Sequence, residues 1–386
     1  MKYLRLLFKN LLRNKRRTFL TMSSIAVSLF LIATLQTLLH ALTNPPETPD
    51  SALRLVVRHR ISLFNTLPAA YRQKIEKVPG VESVVGSMWY GAIYKDPSNF
   101  FANFSVNTDQ FFQVYPDLKM PEDQKEAFVK DRMGAIAGKN LADRFGWKVG
   151  DRFFLKSNTW PIDGVEVTLR GIYEGGSDDA SSFYFHWDYW NELMKQQYGE
   201  WDQTGTFSVR VQSADDVGRV AEQIDTLFRN SNSPTKTETE KAFVLSFVSM
   251  LGDVQTFITS IISVVVFAII LIAANTMAMS IRERSREIGV LKAIGFRSRQ
   301  VLGLLIGESV ALALGGALIG TLAARLIYHA LPLAQMTSGF VQSLDVTAGI
   351  ILSCSGIGAV VGLVSAGLPA WQASRKPVVE ALRRVV

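Results

Sequence analysis

The stretch FITSIISVVVFAIILIAANTMAMSI (residues 257–281) runs 25 residues without a charge, and RERSREIGVLKAIGFRSR (282–299) follows it directly. The hydrocarbon core of a bilayer takes about 20 apolar residues of helix, so the first stretch reads as a membrane span and the second as the loop that ends it. Three further charge-poor runs have the required length: 18–42, 300–327 and 346–371. The run at 18–42 is too long for the apolar part of a signal peptide. No small-residue cleavage site precedes the Pro45-Pro46 break, so it is expected to be retained. Residues 246–281 are read as a stalk continuing into the second span, and 328–345 as a short loop between the third and fourth.

These runs explain the composition. Of 386 residues, 48% are apolar and 19% charged, and the average conceals a polar stretch of roughly 200 residues at 43–245 set among the spans. The net charge of +7 would suggest nucleic acid, but the charges are sorted by segment. Seven bases (Lys2, Arg5, Lys9, Arg13, Lys15, Arg16, Arg17) precede the first span. Six (Arg282, Arg284, Arg286, Lys292, Arg297, Arg299) lie in the loop, and four (Arg375, Lys376, Arg383, Arg384) follow the last span. Those segments hold 17 of the 41 bases and, as Glu283, Glu287 and Glu380, 3 of the 34 acids, which leaves the remainder net negative. Lysine and arginine collect on the cytoplasmic side of spans, so both termini and the 282–299 loop are expected in the cytoplasm and 43–245 outside. The basic balance reports topology and excludes a nucleic-acid partner. One cysteine (Cys354) rules out an intrachain disulfide, and four scattered histidines (His40, His59, His186, His329) offer little for a metal or catalytic site.

The outward stretch alternates strand and helix signals. Strands are expected at 53–57, 81–94, 151–155, 165–173 and 207–211, and helices at 69–78, 139–145 (stopped by Gly146) and 214–229. The turn Pro161-Ile162-Asp163-Gly164 joins two of the strands. The fold class is therefore a membrane protein with four transmembrane α-helices and a large mixed α/β domain, expected as two subdomains, between helices 1 and 2. The aromatics Trp89, Tyr90, Tyr94, Phe100, Phe101, Phe104, Phe111, Phe112 and Tyr115 are expected in sheet and core rather than on a ligand surface. Asp178 and Asp179, after Gly175-Gly176-Ser177, read as a solvated loop rather than as metal ligands or a catalytic pair. From Glu238 to Arg286 there is no proline and one glycine, Gly252, and Thr237 and Glu240 have capping-box spacing. Unbroken, that run would be a rod of about 70 Å; broken at Gly252, it would be two helices.

Within the spans, Gly316-x-x-x-Gly320 and Gly358-x-x-x-Gly362 have the spacing that lets helices approach closely in lipid. Glu308 and Arg325 are ionisable groups in or near the third span. Arg325 is expected to reach outward, and Glu308 to be held in a structural pair rather than in a proton relay. In the loop, Ile288, Leu291 and Ile294 are expected to form one apolar face of a short helix ended by Gly295, suited to docking on a soluble partner.

The run Arg286-Glu287-Ile288-Gly289-Val290 with Lys292-Ala293-Ile294-Gly295 resembles the signature of the FtsX-like, MacB-type permeases of ABC transporters (type VII). Asn275-Thr276-Met277-Ala278 and the ending Pro369-Ala370-Trp371-Gln372-Ala373 through Pro377 to Ala381-Leu382-Arg383 are similar too. So are Gly138-Lys139-Asn140-Leu141-Ala142 and Val149-Gly150-Asp151-Arg152, which resemble the family's periplasmic core domain. The resemblance implies an amphipathic cytoplasmic segment at 1–17, a coupling helix at 282–299, a tail at 372–386 and an inner-membrane location. It implies ATPase contact for Glu283, Arg284, Glu287, Ile288, Leu291, Ala293 and Gly295. The sequence has no G-x-x-x-x-G-K-[ST] phosphate loop, so no cofactor is expected in this chain, and ATP with its magnesium is expected on a separate ATP-binding subunit. A second permease copy or close paralogue, membrane lipid, and a periplasmic adaptor or lipoprotein carrier are the other implied partners. Export from the periplasm or outer leaflet is the leading activity. Lipoprotein release, or a signalling scaffold that activates a cell-wall hydrolase, are the alternatives, and no enzymatic activity is expected in the chain itself.

Overall fold

The first charge-poor run forms α1 (Lys15–Thr43), whose buried Ile25, Ala26, Leu29, Ile32 and Ala33 recur at helical spacing. The chain then builds β1 (Arg54–His59), β2 (Leu67–Pro68), α2 (Tyr71–Ile75), β3 (Val81–Trp89), β4 (Ala92–Ile93), β5 (Ala102–Val106) and α3 (Phe111–Val114). Next come β6 (Leu118–Lys119), α4 (Glu122–Lys130), β7 (Gly134–Gly138), α5 (Lys139–Phe145), β8 (Arg152–Ser157), β9 (Val165–Gly175), β10 (Ser182–His186) and α6 (Trp187–Tyr198). This unit closes with β11 (Gln203–Thr204), β12 (Thr206–Val211), α7 (Val217–Phe228), β13 (Thr235–Thr239) and α8 (Glu240–Met250). Then follow α9 (Val254–Glu283), α10 (Ser285–Ala293), α11 (Ser298–Ala330) and α12 (Ala348–Arg375). The computed structural model describes residues 15–44, 47–96, 99, 101–157, 159–160, 162–176, 180–250, 252–331 and 344–377. Outside the described residues lie segment 1–14 of the expected N-terminal helix, Pro45-Pro46, Phe100, Pro161, Ser177-Asp178-Asp179, 332–343 and tail residues 378–386.

Helices α1, α9, α11 and α12 are each long and apolar enough to cross a membrane. With α10 they form one unit, and residues 43–251 belong to a second. In the second unit a mixed sheet runs in the order β13-β1-β12-β3-β5-β10-β7-β9-β8-β4. Leu55 of β1 pairs antiparallel with Val209 on one side and Thr239 on the other, while β5–β10 and β7–β9 are parallel. β9 alternates buried Val165, Val167, Leu169 and Tyr173 with more exposed neighbours, the period of two expected of a strand with one face on the core. α7 lays Val220, Ile224 and Phe228, one turn apart, on Val57, Phe207 and Val209. The expected aromatic run is core: Tyr90, Phe101 and Phe111 are buried, Trp89, Tyr94, Phe104, Phe112 and Tyr115 half-buried, and Tyr94 packs edge-on to Trp147 at 5.1 Å.

Arg54, only 1% exposed, fastens the start of α8 to the sheet. Its Nη1 and Nη2 donate to Asp117 at 2.6 and 3.0 Å and its Nε to Glu240 at 2.6 Å, and the guanidinium lies 4.8 Å over the Tyr115 ring. Burial pushes the Tyr115 phenol up to about 12, and its hydroxyl donates to Ser208. Beside it, Glu238 accepts from Arg58 and Lys236, which hold its carboxyl below the usual range although burial opposes them. Thr237, expected to cap the following helix, instead lies in β13 and hydrogen-bonds Asp225. The cap is Thr239, whose Oγ1 accepts from Ala242 N at 3.2 Å.

The run from Glu238 to Arg286 is not one rod: it leaves β13 at Thr239, forms α8 and α9 as separate helices, and enters α10 at Ser285. Gly252 takes φ +97°, a backbone that side chains resist and that ends helices, and Asp253 caps α9 by accepting from Thr256 N at 2.9 Å.

In the membrane unit the glycine pairs sit where backbones meet. A Cβ at Gly316 would come within 2.8 Å of Ile25 Cγ2, and one at Gly320 would overlap the Ala26 carbonyl of α1. A Cβ at Gly358 would press on the Ala313 carbonyl at 3.1 Å and one at Gly362 on Val310 Cα at 2.7 Å, both on α11. These contacts are within the chain, and they let Leu29, Ala313, Ala317, Cys354 and Val361 close into one core.

Two outcomes follow for the chain purified in detergent. Arg54→Met removes the buried cation that Asp117 and Glu240 share and costs about 3 kcal/mol. The thermal midpoint should fall well below that of the exposed control Lys130→Met, and equal midpoints would contradict this role. Gly320→Val should cost about 1–3 kcal/mol by overpacking α1 on α11. Gly367→Val, where an added Cβ would meet no neighbouring helix within 4 Å, should not.

Candidate functional site

Two consecutive breaks isolate α10 between the second and third spans. At Arg284 (φ −100°, ψ 12°) the backbone leaves α9 and restarts, so that the Arg284 carbonyl already accepts from Ile288 N at 3.0 Å. At the other end Gly295 sits at φ +105°. Gly295 N donates to the Lys292 carbonyl and Phe296 N to the Leu291 carbonyl, the paired bonds of a left-handed glycine cap. Phe296 then folds back on the core beneath α10, made of Ile281, Ile288, Val301, Leu305, Ala370 and Ala373.

Ile288 and Gly289 face that core and Leu291 is half-buried. Ile294, expected on the same face, is 72% exposed. At about 100° per residue it lies roughly 120° round from Ile288, and the glycine cap turns it outward. The exposed arc instead carries Arg286, Val290 (44% exposed), Ala293, Ile294, Gly295 and Arg297.

Both ends of α10 are held by polar contacts. Arg284 Nη1 donates to both carboxylate oxygens of Glu308 on α11, each at 2.9 Å, and Arg284 Nε lies 3.5 Å from Glu287 on α10 itself. The Glu308 side chain is only 4% exposed. Lys292 Nζ donates to the carbonyls of Ser374 and Lys376 at the end of α12, at 2.9 and 2.6 Å. Just before α10, Glu283 accepts from Arg17 Nη1 of α1 at 2.6 Å. The structure thus brings together Glu283, Arg284, Glu287, Ile288, Leu291, Ala293, Gly295 and Glu308. The glycine pairs lie apart on the span contacts, and Arg325 is exposed. Sequence reasoning missed Arg17, Val290 and Lys292. A lysine in the last turn of a helix is a known donor to terminal carbonyls, but that these belong to another helix is not written in its spacing.

The arrangement offers a small knob held by polar contacts at both ends. Among the described residues no cluster of three or more His, Cys, Asp or Glu side chains could hold a metal ion.

The chain is similar to known proteins along its length. Residues 18–227 match the MacB-like periplasmic core domain, and residues 259–378 match the FtsX-like permease C-terminal domain. It is 23% identical to the uncharacterized ABC transporter permease MJ1507 of Methanocaldococcus jannaschii, over 97% of this chain and 96% of that one. It is 28% identical to the uncharacterized ABC transporter permease YknZ of Bacillus subtilis, over 66% of this chain and 62% of that one. It is also 38% identical to the macrolide export ATP-binding/permease protein MacB of Syntrophobacter fumaroxidans, over 28% of this chain and 14% of that one. Among solved structures, the extracellular domain of YknZ aligns over 48% of this chain and 99% of its own, with 16% identity and a TM-score of 0.36. The periplasmic region of MacB from Actinobacillus actinomycetemcomitans aligns over 50% and 92%, with 11% identity and a TM-score of 0.36. With one family matched across more than half of its residues and a second across α10 and the spans on either side, the chain belongs to the ABC transporter permeases of the MacB/FtsX type.

Proposed function

We propose that this chain is a permease subunit that hydrolyses no ATP itself, and that α10 is the coupling helix on which a separate ATP-binding subunit, carrying ATP and magnesium, docks. One observation carries the reading. Val290 and Ile294 stand exposed one turn apart on a helix whose opposite face and both ends are fastened to the membrane unit. Apolar side chains held in water on a rigid support favour association, and Arg286 and Arg297 beside them suit a partner groove with an acidic rim.

The asymmetry of lysine and arginine supports an orientation with α10 and both termini in the cytoplasm and residues 43–245 outside a bacterial inner membrane. In that orientation the chain passes movement from the ATPase to the outer domain without a substrate crossing the bilayer through it. ATP binding draws two ATPases together, each displaces the coupling helix of one of two permease copies (identical or close paralogues), and the spans carry the displacement outward. Such mechanotransmission suits extrusion of a substrate from the periplasm or outer leaflet, with a periplasmic adaptor or lipoprotein carrier receiving it.

Replacing a buried isoleucine contact with a carboxylate removes about 1.5 kcal/mol or more of association energy, roughly tenfold in affinity. Ile294→Asp should therefore reduce co-purification of the partner ATPase at least tenfold while membrane insertion is unchanged, and undiminished co-purification would refute the docking assignment. Gly295→Val, which strains the left-handed cap by about 1–2 kcal/mol, should lower stimulation of the ATPase by the permease. The turnover of the assembled complex measures this.

A further inference from the structure

We propose that Arg284 and Glu308 are positioning residues whose buried ion pair makes α10 and α11 move as one piece, so that a push on the docking helix becomes a displacement of the third span. This deepens the reading of α10 as the docking helix and rests on it. A nine-residue helix is too short to hold its own orientation in water, and the apolar seat of α10 is small, with only Ile288 and Gly289 fully covered. Apolar packing of that size is non-directional and passes little of a sideways push from α10 to α11. The guanidinium is directional. Its Nη1 sits between both oxygens of Glu308 while its Nε faces Glu287, so a single side chain spans a carboxylate on each of the two helices. The pair is largely shielded from water, where ions screen poorly and separation leaves a bare carboxylate.

The second fastening makes the first a joint rather than a pivot. Lys292 grips the last carbonyls of α12 some eight residues further along, about 12 Å at helical rise. A body held at one point can swing in any direction under load, whereas one held at two keeps only rotation about the line between them. Val290 lies between the two points and Ile294 just past the second, so force applied there reaches both spans.

The experiment uses the full chain in lipid nanodiscs with the ATPase that co-purifies with it. A fluorophore is attached at Ile327→Cys, an exposed position at the far end of α11, in a Cys354→Ser background. The reading is the change in probe emission when the complex is trapped with ATP and vanadate. Glu308→Gln keeps the side-chain volume and removes the charge. It should leave ATPase co-purification at the unmodified ratio and reduce the ATP-driven emission change at least fivefold. Arg284→Lys, which keeps the charge but loses the planar guanidinium, should reduce that change at least twofold and provides the same reading if Glu308→Gln fails to insert. A full emission change in either inserted variant, or a loss of co-purification that parallels the loss of signal, would overturn the proposal. If the unmodified chain binds no ATPase or shows no ATP-driven change, the docking reading falls and this inference with it. Full ATPase binding and signal in the unmodified chain, together with an unaltered signal in Glu308→Gln, would overturn the joint alone.

Discussion

A carboxylate inside a bundle of apolar helices has to be neutralised, and the way Glu308 is neutralised organises the basic end of the membrane unit. Its partner Arg284 is neither a residue of a neighbouring span nor a free loop side chain. It is the residue at which α9 stops and α10 begins, so the counter-charge ties the junction of the two helices to the third span. Ile288 meets the core of Val301, Leu305 and Ala370, and Val290 and Ile294 are left exposed.

The same economy of close contact governs the spans. Gly316 and Gly320 admit the backbone of α1, and Gly358 and Gly362 admit that of α11. Apolar surface gains little by leaving lipid for protein, so approach distance rather than hydrophobicity holds these helices together, and small residues set that distance. Hydroxyls assist at the closest places: Ser309 and Ser365 lie 3.3 Å apart across α11 and α12, each within reach of the other's oxygen.

The spans, the position of the α/β domain and the short helix at 285–293 were legible because each rests on a local regularity: length without charge, alternation of strand and helix signals, and a glycine stop. Gly146 ends α5 at φ +69° where a glycine after an amphipathic run should. Less legible were elements whose identity is decided by neighbours far along the chain. Gly134–Gly138 has no pattern of its own and is a strand because β9 and β10 flank it. Thr235–Thr239 is a strand because β1 offers an open edge, and this displaced the helix start from Thr237 to Thr239. Gly252 could be read as a tolerated helix glycine or as a break, and φ decides. At the candidate site, the identity of the residues was legible but their facing was not. Ile294 follows the last turn of its helix, where a cap of two hydrogen bonds turns the chain away from the period that placed it inside.

The seat of α10 also carries an order in time. Ile288 rests on Ala370 and Ala373, and Lys292 closes on carbonyls of residues 374 and 376, more than eighty positions downstream. A ribosome delivers α10 long before those residues exist, so during synthesis the short helix has only half of its bed. The knob acquires its final set when the last span has been threaded and packed. In a polypeptide interrupted before that point α10 lacks Ala370, Ala373 and both carbonyls that Lys292 grips, so the seating of the short helix doubles as a mark that the bundle behind it is complete.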